Sequence, residues 1–108
     1  MTTTTIVRDG FNISPQEVED VIYTHPAVLE VGVIGMPDSF EARGQRVLAF
    51  VALRDGCVTN EDELREHARR RLADLKLPDK IVFLEKLPKG ISGKIQRTAL
   101  KEFEIVAA

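Results

Sequence analysis

The sequence predicts an α+β fold, a small α/β sandwich in which helices pack on a mixed three-stranded sheet. Three observations lead to this class. Runs at 27–36, 47–53 and 80–84 have the β-branched composition and the length of strands. Two segments with apolar residues at helical spacing begin near Ser14 and Thr59. A short N-terminal strand or hairpin should precede them.

The N-terminal part predicts a hairpin followed by a helix. The strand candidate Ile6-Val7-Arg8 leads into Asp9-Gly10, a strong turn signal. Ser14 can cap the helix, Pro15 suits its first position, and Glu17 completes a capping box with Ser14. The apolar face of this helix would carry Val18, Val21 and Ile22.

The middle of the chain predicts two strands and a second helix. The run at 27–36 should be buried on both faces, and a polar, exposed loop over 39–46 separates it from the strand at 47–53. The second helix should open within 59–62, and Leu77-Pro78 should close it. Its apolar positions are Leu64, Ala68, Leu72 and Leu75.

The stretch at 87–97 (LPKGISGKIQR) is the strongest candidate for chemistry. Its proline and glycines predict a tight loop over 88–93, and 94–103 has the spacing of a short amphipathic helix. Lys94 would stand at the start of that helix, where the dipole prefers negative charge, so helix stability does not explain it. Its ammonium and nearby N–H groups favour a phosphate or carboxylate ligand. A solvated lysine in a turn is the alternative.

Composition limits the partners that the chain can have. Its 108 residues suit a single domain, and a net charge of −2 favours neither nucleic acid nor an anionic membrane. Cys57 is the only cysteine, which excludes an internal disulfide and fits a cytoplasmic protein. No apolar run approaches the roughly 20 residues of a transmembrane segment, and no metal-ligand spacing occurs.

Two histidines and an arginine run invite functional interpretations that the sequence does not favour. His25 precedes a proline at a helix end and His67 lies within a helix, with no Ser or Cys nucleophile beside either, so we expect structural or surface residues. The arginines at 69–71 would diverge by about 100° each on a helix. Without interleaved aromatic residues they predict a solvated face.

Three segments are informative because of their order. They are residues 9–19 (DGFNISPQEVE), 25–38 (HPAV to GMPD) and 88–97 (PKGISGKIQR). Together they resemble the glycine turn, the HPxV…GxPD segment and the closing PKxxxGKIxR motif of the C-terminal subdomain of adenylate-forming enzymes. This superfamily comprises acyl-CoA synthetases, luciferases and peptide-synthetase adenylation domains. The resemblance covers nearly the whole chain.

The resemblance implies a mobile C-terminal domain of an ATP-dependent acid–CoA ligase. In that family the lysine at the position of Lys94 enters the active site of a larger N-terminal domain as acid and ATP form an acyl-adenylate. The small domain then rotates, and the face around the glycine turn serves thioester formation with coenzyme A. Gly10 would let the pantetheine pass, and Gly93 would support Lys94. Lys89 and Arg8 are further candidates, Arg8 for a CoA phosphate or, alternatively, as a surface residue.

The same resemblance sets expectations for boundaries and partners. Residues 1–5 would be a disordered or artificial N-terminal extension, and 6–105 a single lid domain that begins at or just past the family's hinge. ATP with Mg²⁺ would be bound mainly by the N-terminal domain, which lies outside these 108 residues. A carboxylic acid, its acyl-adenylate and CoA are the expected ligands. The isolated domain is expected to fold without catalysing.

Three alternatives stay open. One is a non-catalytic CoA- or protein-binding module of the same fold, and another is part of a peptide-synthetase adenylation domain. The third is luciferase-type chemistry, because the features that distinguish it belong to the N-terminal domain. The Pro88-Lys89 opening of the last motif looks more like a ligase. The acid itself is not determined, because the pocket that selects it belongs to the N-terminal domain.

Overall fold

The computed structural model describes residues 5–8, 10–37 and 45–89. Its elements are β1 (Ile6–Arg8), β2 (Phe11–Ile13), α1 (Pro15–Tyr23), β3 (Val28–Pro37), β4 (Gln45–Leu53), α2 (Glu61–Arg69), a 3₁₀ turn (Asp74–Lys76) and β5 (Lys80–Phe83). β1 and β2 form an antiparallel hairpin. In the separate three-stranded sheet, β4 lies in the middle, antiparallel to β3 and parallel to β5. The predicted α+β class with a mixed three-stranded sheet is confirmed.

Strand β4 divides the hydrophobic core into two parts, because successive side chains of a strand point to opposite faces. All its members from 47 to 52 are inaccessible to solvent. The first part, which α1, α2 and the hairpin cover, receives Val47, Ala49 and Val51. The second part receives Leu48, Phe50 and Ala52. Burial on both faces explains why this strand is an almost continuous apolar run.

Strand β3 contains a bulge that keeps its apolar residues in the first part of the core. The register with β4 shifts between Val28 and Glu30. Because the bulge adds one residue, Val28 and Val31 both reach the first part although they lie three positions apart. Leu29, at the bulge, is left 43% exposed.

Helix α2 is the crossover that allows β5 to run parallel to β4. Asn60 caps it, accepting the Glu63 N–H at 2.8 Å, and Leu64 and Ala68 are buried beneath it. Within the part of the chain that the structure describes, neither nine-residue helix is long and apolar enough to cross a bilayer.

Helix α2 is shorter than predicted, since it ends at Arg69 and does not continue to the predicted stop at Leu77-Pro78. The chain then turns and continues through the 3₁₀ turn at Asp74–Lys76. This path brings Leu72 into the core at 7% exposure and returns the chain to the start of β5, which a straight helix cannot do. Of the arginine run only Arg69 is helical, but all three members are exposed, as expected for a solvated face.

Two further local predictions were wrong. Ser14 is the N-cap of α1, but its side chain makes no capping hydrogen bond. Glu17, the other member of the predicted capping box, pairs instead with the Lys76 ammonium at 2.9 Å, a partner that only tertiary structure supplies. The loop predicted over 39–46 is shorter at its end, because Gln45 and the residue after it already pair with β3.

Replacing Leu64 with alanine should lower the free energy of unfolding by about 2–5 kcal/mol. The leucine side chain is fully buried, so its truncation leaves a cavity in the core. Urea unfolding measures the change. Val58→Ala is the control: that valine is 90% exposed, so the effect should stay within about 0.5 kcal/mol. Similar losses in both variants would contradict the placement of Leu64 in the core.

Candidate functional site

The turn at Gly10 joins the two strands of the hairpin. Gly10 has φ of +78°, a conformation that L side chains rarely adopt, and a Cβ added there would meet nothing within 4 Å. The need for glycine is therefore conformational, and the space beside the backbone is open. Phe11 follows with 63% of its surface exposed. The turn therefore leaves its backbone and the neighbouring aromatic ring exposed to solvent.

Arg8 lies two residues before Gly10. Gly10 is exposed to solvent, whereas the Arg8 side chain is buried in the protein. It is 4% exposed, and its Nη2 lies 2.5 Å from Asp79 Oδ1. Its Nη1 also donates to the Leu77 carbonyl at 3.4 Å. The expectation of a surface position for Arg8 was wrong, because this guanidinium is buried against a carboxylate. In this arrangement the CoA-phosphate role predicted for Arg8 has no support from the geometry.

The contact of Arg8 places the glycine turn at one end of the sheet. Asp79 precedes β5, and its second carboxylate oxygen accepts the Val47 N–H at 2.8 Å. Val47 lies near the beginning of β4, whose first residue is Gln45. The glycine turn is thus tethered near the end of the sheet at which β4 and β5 begin.

Lys89, the second residue of the predicted loop over 88–93 that leads to Lys94 (the lysine loop), lies toward the other end of the sheet. Its ammonium forms an ion pair with Glu30, whose side chain is only 14% exposed and so gains from a nearby cation. Glu30 pairs with Ala52, one residue before the end of β4. Lys94 and Gly93, with the predicted loop and helix around them, lie outside the described residues, and their roles stay predictions.

The structure also brings together two histidines that the sequence interpretation treated separately. The ring centroids of His25 and His67 are 5.2 Å apart in an edge-to-face arrangement. Nε2 of His67 lies 2.7 Å from Thr24 Oγ1, and that hydroxyl donates to the Val21 carbonyl at 2.6 Å. The imidazole must therefore donate to Thr24, which places the proton of the neutral ring on Nε2. Because His25 lies just after the end of α1 and His67 lies in α2, more than 40 residues further along the chain, no local pattern could reveal the contact.

The histidine pair borders an open groove with limited chemistry. The groove has a volume of about 310 Å³ and is lined by His25, Glu63, Glu66, His67 and Arg70. Across residues 5–8, 10–37 and 45–89 there is no group of three His, Cys, Asp or Glu side chains that could hold a metal ion. The described lining residues include no Ser or Cys nucleophile. The pair serves as a contact between α2 and the turn that follows α1.

The sequence profile described as AMP-binding enzyme C-terminal domain matches residues 17–94, which is more than half of the chain. The chain belongs to this family. The match ends at Lys94 and contains β3, β4, α2 and β5. The resemblance that the three motifs predicted is therefore confirmed.

Relatives of this AMP-binding C-terminal domain are CoA ligases. The long-chain-fatty-acid–CoA ligase of Bacillus subtilis (strain 168) is 46% identical over 99 residues, which are 92% of this chain and 17% of that protein. The mitochondrial medium-chain acyl-CoA ligase ACSF2 of Homo sapiens is 40% identical over 97 residues, or 90% of this chain and 15% of that protein. The chain thus spans about a sixth of the length of these relatives.

Solved structures of similar proteins share the fold. The Mycobacterium tuberculosis fatty acyl CoA synthetase superimposes with a TM-score of 0.84 at 39% identity, over 95% of this chain and 20% of that one. The Brucella canis acyl-CoA synthetase superimposes with a TM-score of 0.86 at 36% identity, over 99% of this chain and 20% of that one. ATP-bound MatB from Rhodopseudomonas palustris superimposes with a TM-score of 0.85 at 32% identity, over 94% of this chain and 20% of that one.

We expect the free energy of unfolding to decrease as the pH is lowered from about 7.5 to about 5.5. Burial lowers the pKa of His67, and the positive charges of Arg71, His25 and Arg70 add to this effect. Because the folded-state pKa lies below the ordinary value of about 6.5, the unfolded chain binds the proton first. Stability that is fully present above the ordinary value is therefore lost as pH falls toward the folded-state pKa.

Urea midpoints of the wild type and His67→Gln at both pH values measure the effect. Glutamine keeps a donor for Thr24 but does not titrate, so the variant should lose less stability on acidification. An equal loss in both proteins would show that His67 does not cause the pH dependence.

Proposed function

We propose that this chain is the mobile C-terminal domain of an ATP-dependent acid–CoA ligase. The observation that carries the proposal is its membership of the AMP-binding C-terminal domain family, with CoA ligases as relatives over nine-tenths of its length. In this proposal ATP, Mg²⁺ and the acid are held mainly by an N-terminal domain. This chain contributes Lys94 to the first half-reaction and the Gly10 turn to the second. A cytoplasmic location is part of the proposal.

In the first half-reaction a carboxylate oxygen of the acid attacks the α-phosphorus of ATP. The new bond to the acyl group forms as the bond to pyrophosphate breaks, giving an acyl-adenylate. Both reactants are anionic, so a positioned ammonium such as that of Lys94 would offset their repulsion and stabilise the transition state. The ion pair between Lys89 and Glu30 anchors the first part of the lysine loop.

In the second half-reaction the thiol of CoA attacks the carbonyl carbon of the acyl-adenylate. A thioester forms, AMP leaves with the bonding electron pair, and the thiol proton is released. The pantetheine arm would approach along the Gly10 turn. The open space beside that backbone supports this role, since nothing stands within 4 Å of where a side chain would begin.

The positions of the two features fit alternating use of one domain. The glycine turn is tethered near the beginning of β4 through Asp79, and Lys89 lies near the end of β4 through Glu30. A rigid domain that carries the Gly10 turn and the lysine loop toward opposite ends must rotate to bring each of them in turn to the active site. The CoA ligases among the relatives favour CoA over a carrier protein as the thiol acceptor.

A graft tests the role of Lys94: this chain replaces the matching C-terminal 17% of the Bacillus subtilis ligase. Lys94→Ala should reduce ATP–pyrophosphate exchange by about 10²-fold or more, because it removes an electrostatic contact to the transition state. Thioester formation from preformed acyl-adenylate should be spared. Lys86→Ala, at an exposed lysine of the same region, is the control. Unchanged exchange in Lys94→Ala would refute the assigned role.

Two matched glycines test the role of the turn. Gly10 and Gly56 both have φ of +78° and open surroundings, so Gly10→Ala and Gly56→Ala should each cost about 1 kcal/mol of stability through backbone strain alone. In the graft, Gly10→Ala should slow thioester formation by about tenfold or more, because a methyl group enters the path of the thiol. Gly56→Ala should not. Equal rates for the two variants would contradict a CoA path at Gly10.

A further inference from the structure

We propose that Arg8 is a positioning residue whose ion pair with Asp79 holds the Gly10 turn in the orientation that thioester formation requires. The inference rests on the proposed function of that turn and adds a residue to it. In this proposal Arg8 touches neither the acyl group nor CoA, and acts only through the hairpin that carries Gly10.

The hairpin needs an external support. Its strands have three residues each, and the hairpin is separate from the three-stranded sheet. A two-stranded hairpin of this size is marginally stable by itself. Ile6 and Ile13, both fully buried, attach its base to the core. Apolar contacts of this kind are not directional, so they set how deeply the hairpin is seated but not its angle.

Arg8 supplies the directional contact. It stands opposite Phe11 in the last residue pair before the turn. Its buried guanidinium reaches Asp79 Oδ1 at 2.5 Å and the Leu77 carbonyl at 3.4 Å. A planar guanidinium with two partners holds its side chain in one plane. The buried isoleucines at the base therefore hold the hairpin against the core, and Arg8 sets the orientation of its tip.

Asp79 is itself fixed by the central strand. Its Oδ2 accepts the Val47 N–H at 2.8 Å, and its own N–H donates to the Val47 carbonyl at 2.7 Å. The carboxylate thus connects the hairpin to β4, the strand that is buried on both faces. A change at Arg8 should release the turn while Asp79 stays bonded to Val47.

A second arginine provides a matched control. Arg65, in α2, donates to the Pro78 carbonyl at 3.2 Å and to the Asp79 carbonyl at 3.1 Å, and pairs with Glu61 at 2.8 Å. It supports the same segment as Arg8, but the contacts described for it lie in α2 and at 78–79. A variant of Arg65 therefore disturbs Asp79 without directly detaching the hairpin.

The first experiment measures amide hydrogen exchange in this 108-residue chain, so it does not depend on catalysis. Arg8→Gln should speed exchange in β1 and β2 by about tenfold while β4 changes by less than about twofold, as local opening requires. Arg65→Gln should leave hairpin exchange within about twofold of wild type. Joint changes in the hairpin and β4, or an equal hairpin effect in Arg65→Gln, would overturn the tether.

The second experiment uses the grafted ligase and compares its half-reactions. Arg8→Gln should slow thioester formation from preformed acyl-adenylate and raise the KM for CoA by about tenfold, since misplacement by about 1 Å can cost up to 10²-fold. ATP–pyrophosphate exchange should stay within about twofold. Arg8→Lys keeps the charge without the planar fork and should recover part of the rate. Arg65→Gln should change neither half-reaction.

The outcomes separate failure of the inference from failure of the proposed function. Equal losses in both half-reactions of Arg8→Gln, or a loosened hairpin with unchanged thioester formation, would overturn the positioning role alone. A graft of the unaltered chain that adenylates but forms no thioester would overturn the proposed function and the positioning role with it. The exchange experiment would still report whether Arg8 tethers the hairpin.

Discussion

The ion pair between Arg8 and Asp79 fixes how the N-terminal hairpin is attached to the rest of the described elements. Asp79 receives the guanidinium on one oxygen and the Val47 N–H on the other, so the hairpin, the central strand and the start of β5 meet at one carboxylate. Arg8 is 4% exposed, and a buried guanidinium without its partner is strongly destabilising. Burial of the Arg8 charge therefore favours conformations in which Arg8 and Asp79 are paired, and disfavours those that separate the two residues.

The second feature is the rigidity of β4, which links the two candidate functional regions. Because apolar side chains pack on both of its faces, the strand cannot bend or slip without opening one part of the core. The glycine turn is tethered near the beginning of β4, and Lys89 lies near its end. In the proposed mechanism, in which rotation exchanges the turn for the lysine loop, a domain of this kind would move as one body.

Local sequence patterns predicted the site only where its geometry is local. Gly10 was found because a hairpin turn requires a residue that tolerates positive φ, and the structure has φ of +78° there. Lys94 was predicted from its motif, lies outside the described residues and stays a prediction. The burial of Arg8 and the contact between His25 and His67 were missed, because each depends on a partner from a distant part of the chain. No short-range pattern contains such a partner.

The sequence by itself determined the α+β class, the strand candidates, the start of both helices and the family, since each depends on local periodicity, turn residues or ordered motifs. Tertiary structure decided where α2 ends, because Leu72 enters the core only if the chain turns after Arg69. It also decided that Glu17 pairs with Lys76 rather than with the helix N-terminus. In each case a long-range contact outweighs a local preference of about 1 kcal/mol, which is too small to prevail alone.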